Sequence, residues 1–132
     1  MLTGGCYCGA IRYEGQGEPF HPTLCHCRDC RRVAGAPAVA WFSLRAKDFR
    51  FTAGEPARFA SSEKGRRTFC RHCGTPLTFQ NLDLAEEIDI TTASLDNPEQ
   101  VPPADHTQAA GRLSWLHLAD GLPQYPQGRD GG

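Results

Sequence analysis

Seven cysteines in three tight groups constrain this chain more than any other feature of it. Cys25-His26-Cys27-Arg28-Asp29-Cys30 carries three of them, and a C-x-C-x2-C run aims its sulfurs at one point if the backbone turns tightly. Three thiols this close cannot all be paired with one another, so a metal ion is the simplest occupant of that point. The other four form two short pairs far apart in the chain, Cys6-x-Cys8 and Cys70-x2-Cys73. A short pair loses little entropy when its second sulfur binds, and two such pairs are the usual way to close a tetrahedral zinc site. The count therefore divides as four plus three. A four-sulfur site is full and structural, whereas three sulfurs leave zinc one position for water, a thiol or a substrate oxygen. Function is accordingly expected at Cys25, Cys27 and Cys30.

Other uses of the cysteines are less compatible with the pattern. Disulfides would leave one thiol over, would strain a C-x-C pair, and belong to exported proteins, whereas Met1-Leu2-Thr3-Gly4 has neither the basic nor the apolar region of a secretion signal. Redox chemistry of the thioredoxin type needs its C-x-x-C at a strand-to-helix step of a βαβ pattern, which neither Cys27-x-x-Cys30 nor Cys70-x-x-Cys73 occupies. A competing expectation makes the triple-cysteine site structural too, with His26, His21 or a distant residue as fourth ligand.

Length and charge narrow the partners. With 132 residues, 39% of them hydrophobic, and ten prolines and fourteen glycines, the chain suits one domain, expected over 1–128, with a modest core. Residues 129–132 are expected to be a disordered tail. Fourteen Lys and Arg against fifteen Asp and Glu give a net charge of −1, so no long-range field draws the chain to nucleic acid or an anionic membrane. No apolar run reaches the length of a membrane span. The expected address is the cytoplasm, where thiols stay reduced.

The pattern along the chain is that of short strands. Residues 10–14 alternate apolar and polar, 20–24 lead into the triple-cysteine loop, and 38–43 form an apolar central strand. Residues 27–33 suit a short helical turn ended by Gly35 and Pro37, and 46–48 one further turn. Segments 49–52 and 57–60 read as strands around a Gly54-Glu55-Pro56 turn, and 75–80 and 88–92 as another antiparallel pair, closed by a turn at 95–98. His72 and His26, each beside metal-ligating cysteines, are expected to point to solvent. The tail 112–126 is expected to wrap the sheet irregularly with Trp115 as an anchor. Together these give a mainly β fold of short antiparallel strands with two cysteine knuckles and little helix.

Gly5-Cys6-x-Cys8-Gly9, Cys25-His26-Cys27-Arg28-x-Cys30-Arg31 and Phe69-Cys70-x-x-Cys73-Gly74, in this order, resemble the glutathione-dependent formaldehyde-activating enzyme family, also called the centromere-protein-V-like domain. The resemblance extends over almost the whole chain, the tail from Trp115 to Pro126 included. It implies a β-tent fold, a structural zinc on Cys6, Cys8, Cys70 and Cys73, and a catalytic zinc on Cys25, Cys27 and Cys30. The implied activity is that of a carbon-sulfur lyase forming or breaking S-(hydroxymethyl)glutathione, with formaldehyde and glutathione as the small-molecule partners. The segment 106–111 departs from the apolar strand expected after His106.

A free thiol with a pKa of about 8.5 is only a few per cent thiolate at neutral pH, and a zinc with an open position would bind the substrate sulfur in its reactive form. Three thiolate ligands weaken that ion as a Lewis acid, which favours organising the nucleophile over polarising the aldehyde. Arg28, Arg31 and Arg32 beside the loop are candidates to grip the carboxylates of glutathione, and His26 and Asp29 are the nearest candidate proton carriers. The rival reading is a non-catalytic zinc module for a protein or nucleic-acid partner, with Arg66, Arg67 and Arg71 as a basic patch; balanced charge argues against nucleic acid.

Overall fold

The structure is a computed structural model, described for residues 1–129. In chain order its regular elements are β1 (Leu2–Gly5), β2 (Arg12–Gly15), β3 (Phe20–Cys25), α1 (Arg28–Ala34), β4 (Val39–Arg45), β5 (Phe49–Ala53), β6 (Ala57–Ala60), β7 (Gly65–Phe69), β8 (Pro76–Asn81), β9 (Glu87–Thr91) and β10 (Asp105–Thr107). The mainly β expectation holds, with α1 the one α-helix among the described residues.

Two sheets form: β1-β2-β5, and a larger one in the order β10-β3-β4-β9-β8-β7-β6. The period-2 alternation of a strand gives β4 two buried faces. Phe42 and Leu44 join Ile88, Ile90 and Leu77 of the large sheet, with Ile11 and Tyr13, in the main core. Val39 and Trp41, of opposite parity, form a second small cluster with Cys30 of α1.

Four expectations need correction. Segments 49–53 and 57–60 do not form a hairpin: β5 pairs with β2 and β6 with β7, so the Gly54-Glu55-Pro56 turn carries the chain from one sheet to the other. Alternating residues of these two strands are expected to face in, but Phe59 of β6 is exposed, because β6 is the edge of its sheet. The pairing is not wholly antiparallel. β10 lies parallel to β3, and although its residues are Asp, His and Thr all three are buried; Thr23 Oγ1 lies 3.1 Å from Thr107 Oγ1 and donates to Asp105 O at 3.3 Å. Buried polar groups matched by hydrogen bonds hold this strand, in keeping with the departure of 106–111 from the apolar strand expected after His106.

The fourth concerns the tail. It is tied down by its backbone, with His106 N–H donating to Pro123 O, Tyr125 N–H to His106 O and Ala109 N–H to Tyr125 O at 2.8–2.9 Å. Trp115 is no anchor, being 65% exposed. Arg129 is held, with Nε 2.5 Å from Asp105 Oδ2. The rest of the expected disordered tail, residues 130–132, lies outside the described residues. Among the described residues no helix is long and apolar enough to cross a membrane.

Candidate metal centres

The two pairs expected to share a metal do meet. Each knuckle is a tight turn closed by its own backbone: Gly9 N–H donates to Cys6 O and Gly74 N–H to Cys70 O, with both glycines at φ +83°, a left-handed conformation that side chains disfavour. Chain flanks close the loops again, through Cys6 N–H to Ile11 O and Cys70 N–H to Thr75 O. The four Sγ atoms lie within 4.8 Å of one another, Cys6–Cys8 at 3.6 Å and Cys8–Cys70 at 3.8 Å. Zinc-sulfur bonds of about 2.3 Å in a tetrahedron demand sulfur-sulfur edges of about 3.8 Å, so the group fits zinc as it stands. Backbone N–H groups aim at the sulfurs, Ile11 at Cys6 (3.2 Å) and His72 and Cys73 at Cys70 (3.4 and 3.5 Å). The Thr75 hydroxyl and backbone hold the Cys73 thiol down at about 5. His72 itself is exposed, as expected.

The second group is assembled where β3 hands over to α1. Cys25 ends the strand, Cys27 is the N-cap of the helix and accepts the Cys30 N–H at 3.2 Å, and Cys30 sits inside the first turn. A strand end, a cap and the first turn of a helix thus turn three sulfurs to one point, with Cys25 and Cys30 Sγ 3.3 Å apart and all three within 4.8 Å. Their chemistry calls for a cation. Sulfur contacts from Cys25 and Cys30, helped by the N–H groups of Cys30 and Asp29, hold Cys27 as thiolate down to about 2, and that charge in turn pushes Cys25 up to about 11. A charge on one sulfur opposes ionisation of its neighbours, and a divalent ion would let all three sulfurs ionise. Cys25, Cys27 and Cys30 would hold it.

A cavity of about 560 Å³ opens over this group. All three cysteines line it, together with a row of residues set by strand register. Ser43 of β4 faces Asp89 of β9, Asp89 faces Phe79 of β8, and Phe79 faces Arg67 of β7. Trp41, two residues before Ser43 on the same face of β4, lines it too. Ser43 Oγ donates to Asp89 Oδ1 at 2.6 Å, yet burial still pushes the Asp89 carboxyl above the usual carboxylate range.

The other expected site residues fall in three places. Asp29 lines the cavity from the exposed side of α1. His21 lines it as well, in a strained left-handed conformation (φ 51°), but is outside the group of sulfurs and is no fourth ligand. Arg28, Arg31 and Arg32 do not border the cavity; the helix turns Arg28 and Arg32 to solvent. His26 is the largest departure. It is fully buried, not solvent-facing, because its backbone pairs with Thr107 and its ring enters a chain of hydrogen bonds. Asp120 Oδ2 is 2.8 Å from His106 Nε2, and His106 Nδ1 is 2.9 Å from His26 Nε2. The carboxylate accepts from His106 Nε2–H, and in the neutral ring Nδ1 then accepts from His26. Burial, reinforced by His106, lowers the His26 pKa, and His26 does not border the cavity. Its ring and backbone thus brace the Cys25–Cys27 loop.

Sequence reading passed over Trp41, Ser43 and Asp89 as site residues and gave Arg67 only to a basic patch with Arg66 and Arg71. A carboxylate within the Ile88-Asp89-Ile90 strand and a serine in the most apolar strand were the available signals.

A family model described as glutathione-dependent formaldehyde-activating enzyme matches residues 1–110. The chain belongs to this family. It is 36% identical over 76 residues to an uncharacterized lyase of Schizosaccharomyces pombe; the match takes in 58% of this chain and spans only about half (55%) of that relative's length. A Halomonas elongata protein whose name places it among glutathione-dependent formaldehyde-activating enzymes is 24% identical over 127 residues, 89% of this chain and 81% of that one. Among solved structures, a Rhodobacter sphaeroides protein superposes with a TM-score of 0.65 at 25% identity, covering 80% of this chain and 99% of the other.

Proposed function

We propose that the protein is a zinc-dependent carbon-sulfur lyase that forms or breaks the adduct of a thiol with an aldehyde, in the first instance S-(hydroxymethyl)glutathione, at Cys25, Cys27 and Cys30. The observation that carries this reading is that three sulfurs converge on the lining of a cavity and no fourth Cys, His, Asp or Glu ligand atom joins them among the described residues. Membership of the family and the lyase name of the yeast relative support the reaction class. A second zinc on Cys6, Cys8, Cys70 and Cys73 is purely structural in this reading.

Zinc bound by the three cysteines would supply a position at which a thiol ionises near neutral pH. In the forward sense the thiolate sulfur attacks the formaldehyde carbon, a C–S bond forms, and the carbonyl π pair moves to oxygen, which takes up one proton. The reverse sense removes that proton, re-forms the C=O bond and returns the C–S pair to sulfur. Asp89 is suited to hold the proton, since its burial keeps it protonated to a higher pH than an exposed aspartate. Trp41 and Phe79 give the cavity apolar walls that limit water around the reacting carbon.

Cobalt substitution tests this directly. Titration with glutathione is expected to add a sulfur charge-transfer component to the bands of the three-cysteine site and to accelerate the reaction with formaldehyde over the free thiol at the same pH. A cobalt spectrum that ignores the thiol would overturn the catalytic reading in favour of a binding module.

A further inference from the structure

Arg67 is out of place for a structural residue. It is only 8% exposed, its Nε is buried without a hydrogen-bond partner, and no carboxylate lies within ion-pair distance of it among the described residues. A buried guanidinium normally has an anion beside it, because an unpaired charge away from water is costly. Strand register explains why the nearest acid does not serve. Phe79 stands between Arg67 and Asp89 in the cross-strand row, which keeps the two about two strand spacings, roughly 10 Å, apart. The guanidinium lies over the Phe79 ring, 4.7 Å from its centroid, which holds it in place without neutralising it. Trp41 repeats the pattern: it is 8% exposed and its Nε1 is buried with no acceptor. Both residues line the cavity that also reaches Cys25, Cys27 and Cys30.

We infer that Arg67 and Trp41 form an anion subsite that takes a carboxylate of the thiol-bearing ligand. The guanidinium fork would donate to both carboxylate oxygens, as Arg does where planar recognition is needed. The Trp41 N–H would add a donor from β4, which β9 and β8 separate from β7 in the sheet. A cavity of about 560 Å³ falls within the roughly 300–1,000 Å³ typical of small-ligand sites, so a peptide-sized thiol can span from sulfurs to guanidinium. The role that sequence reading gave to Arg28, Arg31 and Arg32 thus passes to a residue of β7 that borders the cavity. Arg67 would be a specificity determinant, selecting carboxylate-bearing thiols over neutral ones.

The inference rests on the reading that a thiol-bearing ligand occupies this cavity, and the test separates the two. Calorimetric titration of the zinc-loaded protein uses S-methylglutathione, which keeps both carboxylates but cannot ionise at sulfur, and the diethyl ester of the same compound. Arg67→Gln is expected to weaken S-methylglutathione binding at least about tenfold, the scale of a charge-assisted hydrogen bond, and to leave the ester unchanged. Trp41→Phe should weaken it by a smaller factor. Equal binding of S-methylglutathione by Arg67→Gln and the unsubstituted protein would overturn the inference. So would an equal loss for acid and ester, which would mark Arg67 as structural. If Arg67→Gln does not fold, Phe79→Leu removes the ring under the guanidinium, and unchanged binding in both Phe79→Leu and Trp41→Phe would overturn it instead. Should glutathione leave the cobalt spectrum unaltered while S-methylglutathione still binds in an Arg67-dependent way, the subsite stands and the thiol chemistry falls.

Discussion

Cys6 and Cys70 are packed within the main hydrophobic core, among Ile11, Tyr13, Phe42 and Leu77, whereas Cys25, Cys27 and Cys30 rest on a small separate cluster with Val39 and Trp41 and border a cavity. The same side chain therefore does two jobs according to what surrounds it. Around the four-sulfur group, loops from the first and second halves of the chain, 62 residues apart at Cys8 and Cys70, are brought together. The three-sulfur group is local, drawn from a single strand-to-helix step. A metal that bridges distant loops restricts the unfolded chain far more than one bound within six residues. Removing the first should undo the fold, and removing the second should leave it standing.

The largest expected effect breaks that comparison on its structural side. Cys70→Ser should leave the chain molten or insoluble, since structural zinc contributes about 10–16 kcal/mol in small zinc domains and whole-domain stability is only about 5–15 kcal/mol. Circular dichroism and metal content report the loss. On the other side, Cys27→Ser should fold with one zinc per chain and no thiol-induced change in its cobalt spectrum. Serine is a preferred N-cap and can still accept the Cys30 N–H, so the helix survives with a stability change of about 2 kcal/mol or less in urea. If both variants unfold alike, the contrast between the groups is wrong.

His106→Phe sharpens the contrast at the three-sulfur loop. An aromatic ring, slightly larger, is kept while both hydrogen bonds go, leaving the buried His26 Nε2–H without an acceptor at a cost of about 1–3 kcal/mol. Denaturant unfolding should show that cost, and affinity for the second zinc should fall while the first is retained. A variant that loses both metals equally would count against His26 as a prop for this loop alone.

The smallest effect lies near the other group. Arg12 forks Asp96 and Thr3 donates to it, holding the Asp96 carboxyl down at about 2. A depressed carboxyl stabilises the folded chain above its unfolded pKa of about 3.9, and that stabilisation is lost as pH falls through about 2. Asp96→Asn should thus cost a few tenths to about 1 kcal/mol at neutral pH, as exposed ion pairs do, and nothing below pH 2. A difference between variant and wild type that does not shrink between pH 4 and 2 would show that the pair is not its source.

Local features were legible in advance. The division of seven cysteines into four and three follows from spacing, because chelation by short pairs is a near-neighbour property, and the geometry agrees with it. The helix after Cys27, its stop at Gly35 in a left-handed conformation, the central strand and the β8-β9 pair were readable for the same reason. The resemblance of the three cysteine groups to a known family was legible too, and the family model confirms it.

Decisions made between distant strands were not legible. Nothing near Gly54 says that β5 and β6 part into different sheets, since a turn constrains its own dihedral angles and not the partner each strand finds. His26 was expected in solvent because its neighbours are cysteines, and it is buried because β10, some 80 residues later, lies beside β3 and presents His106 to it. Arg67 read as part of a basic patch with Arg66 and Arg71. Only the register of β7, β8 and β9 sets Phe79 between it and Asp89 and turns it toward the cavity. The sequence by itself determined which atoms could hold metal, for ligation depends on residue type and short-range spacing. Tertiary structure alone decided which cluster the core would enclose, which would border a cavity, and which charge would be buried there without a partner, because burial and register are properties of strands that meet only in the folded chain.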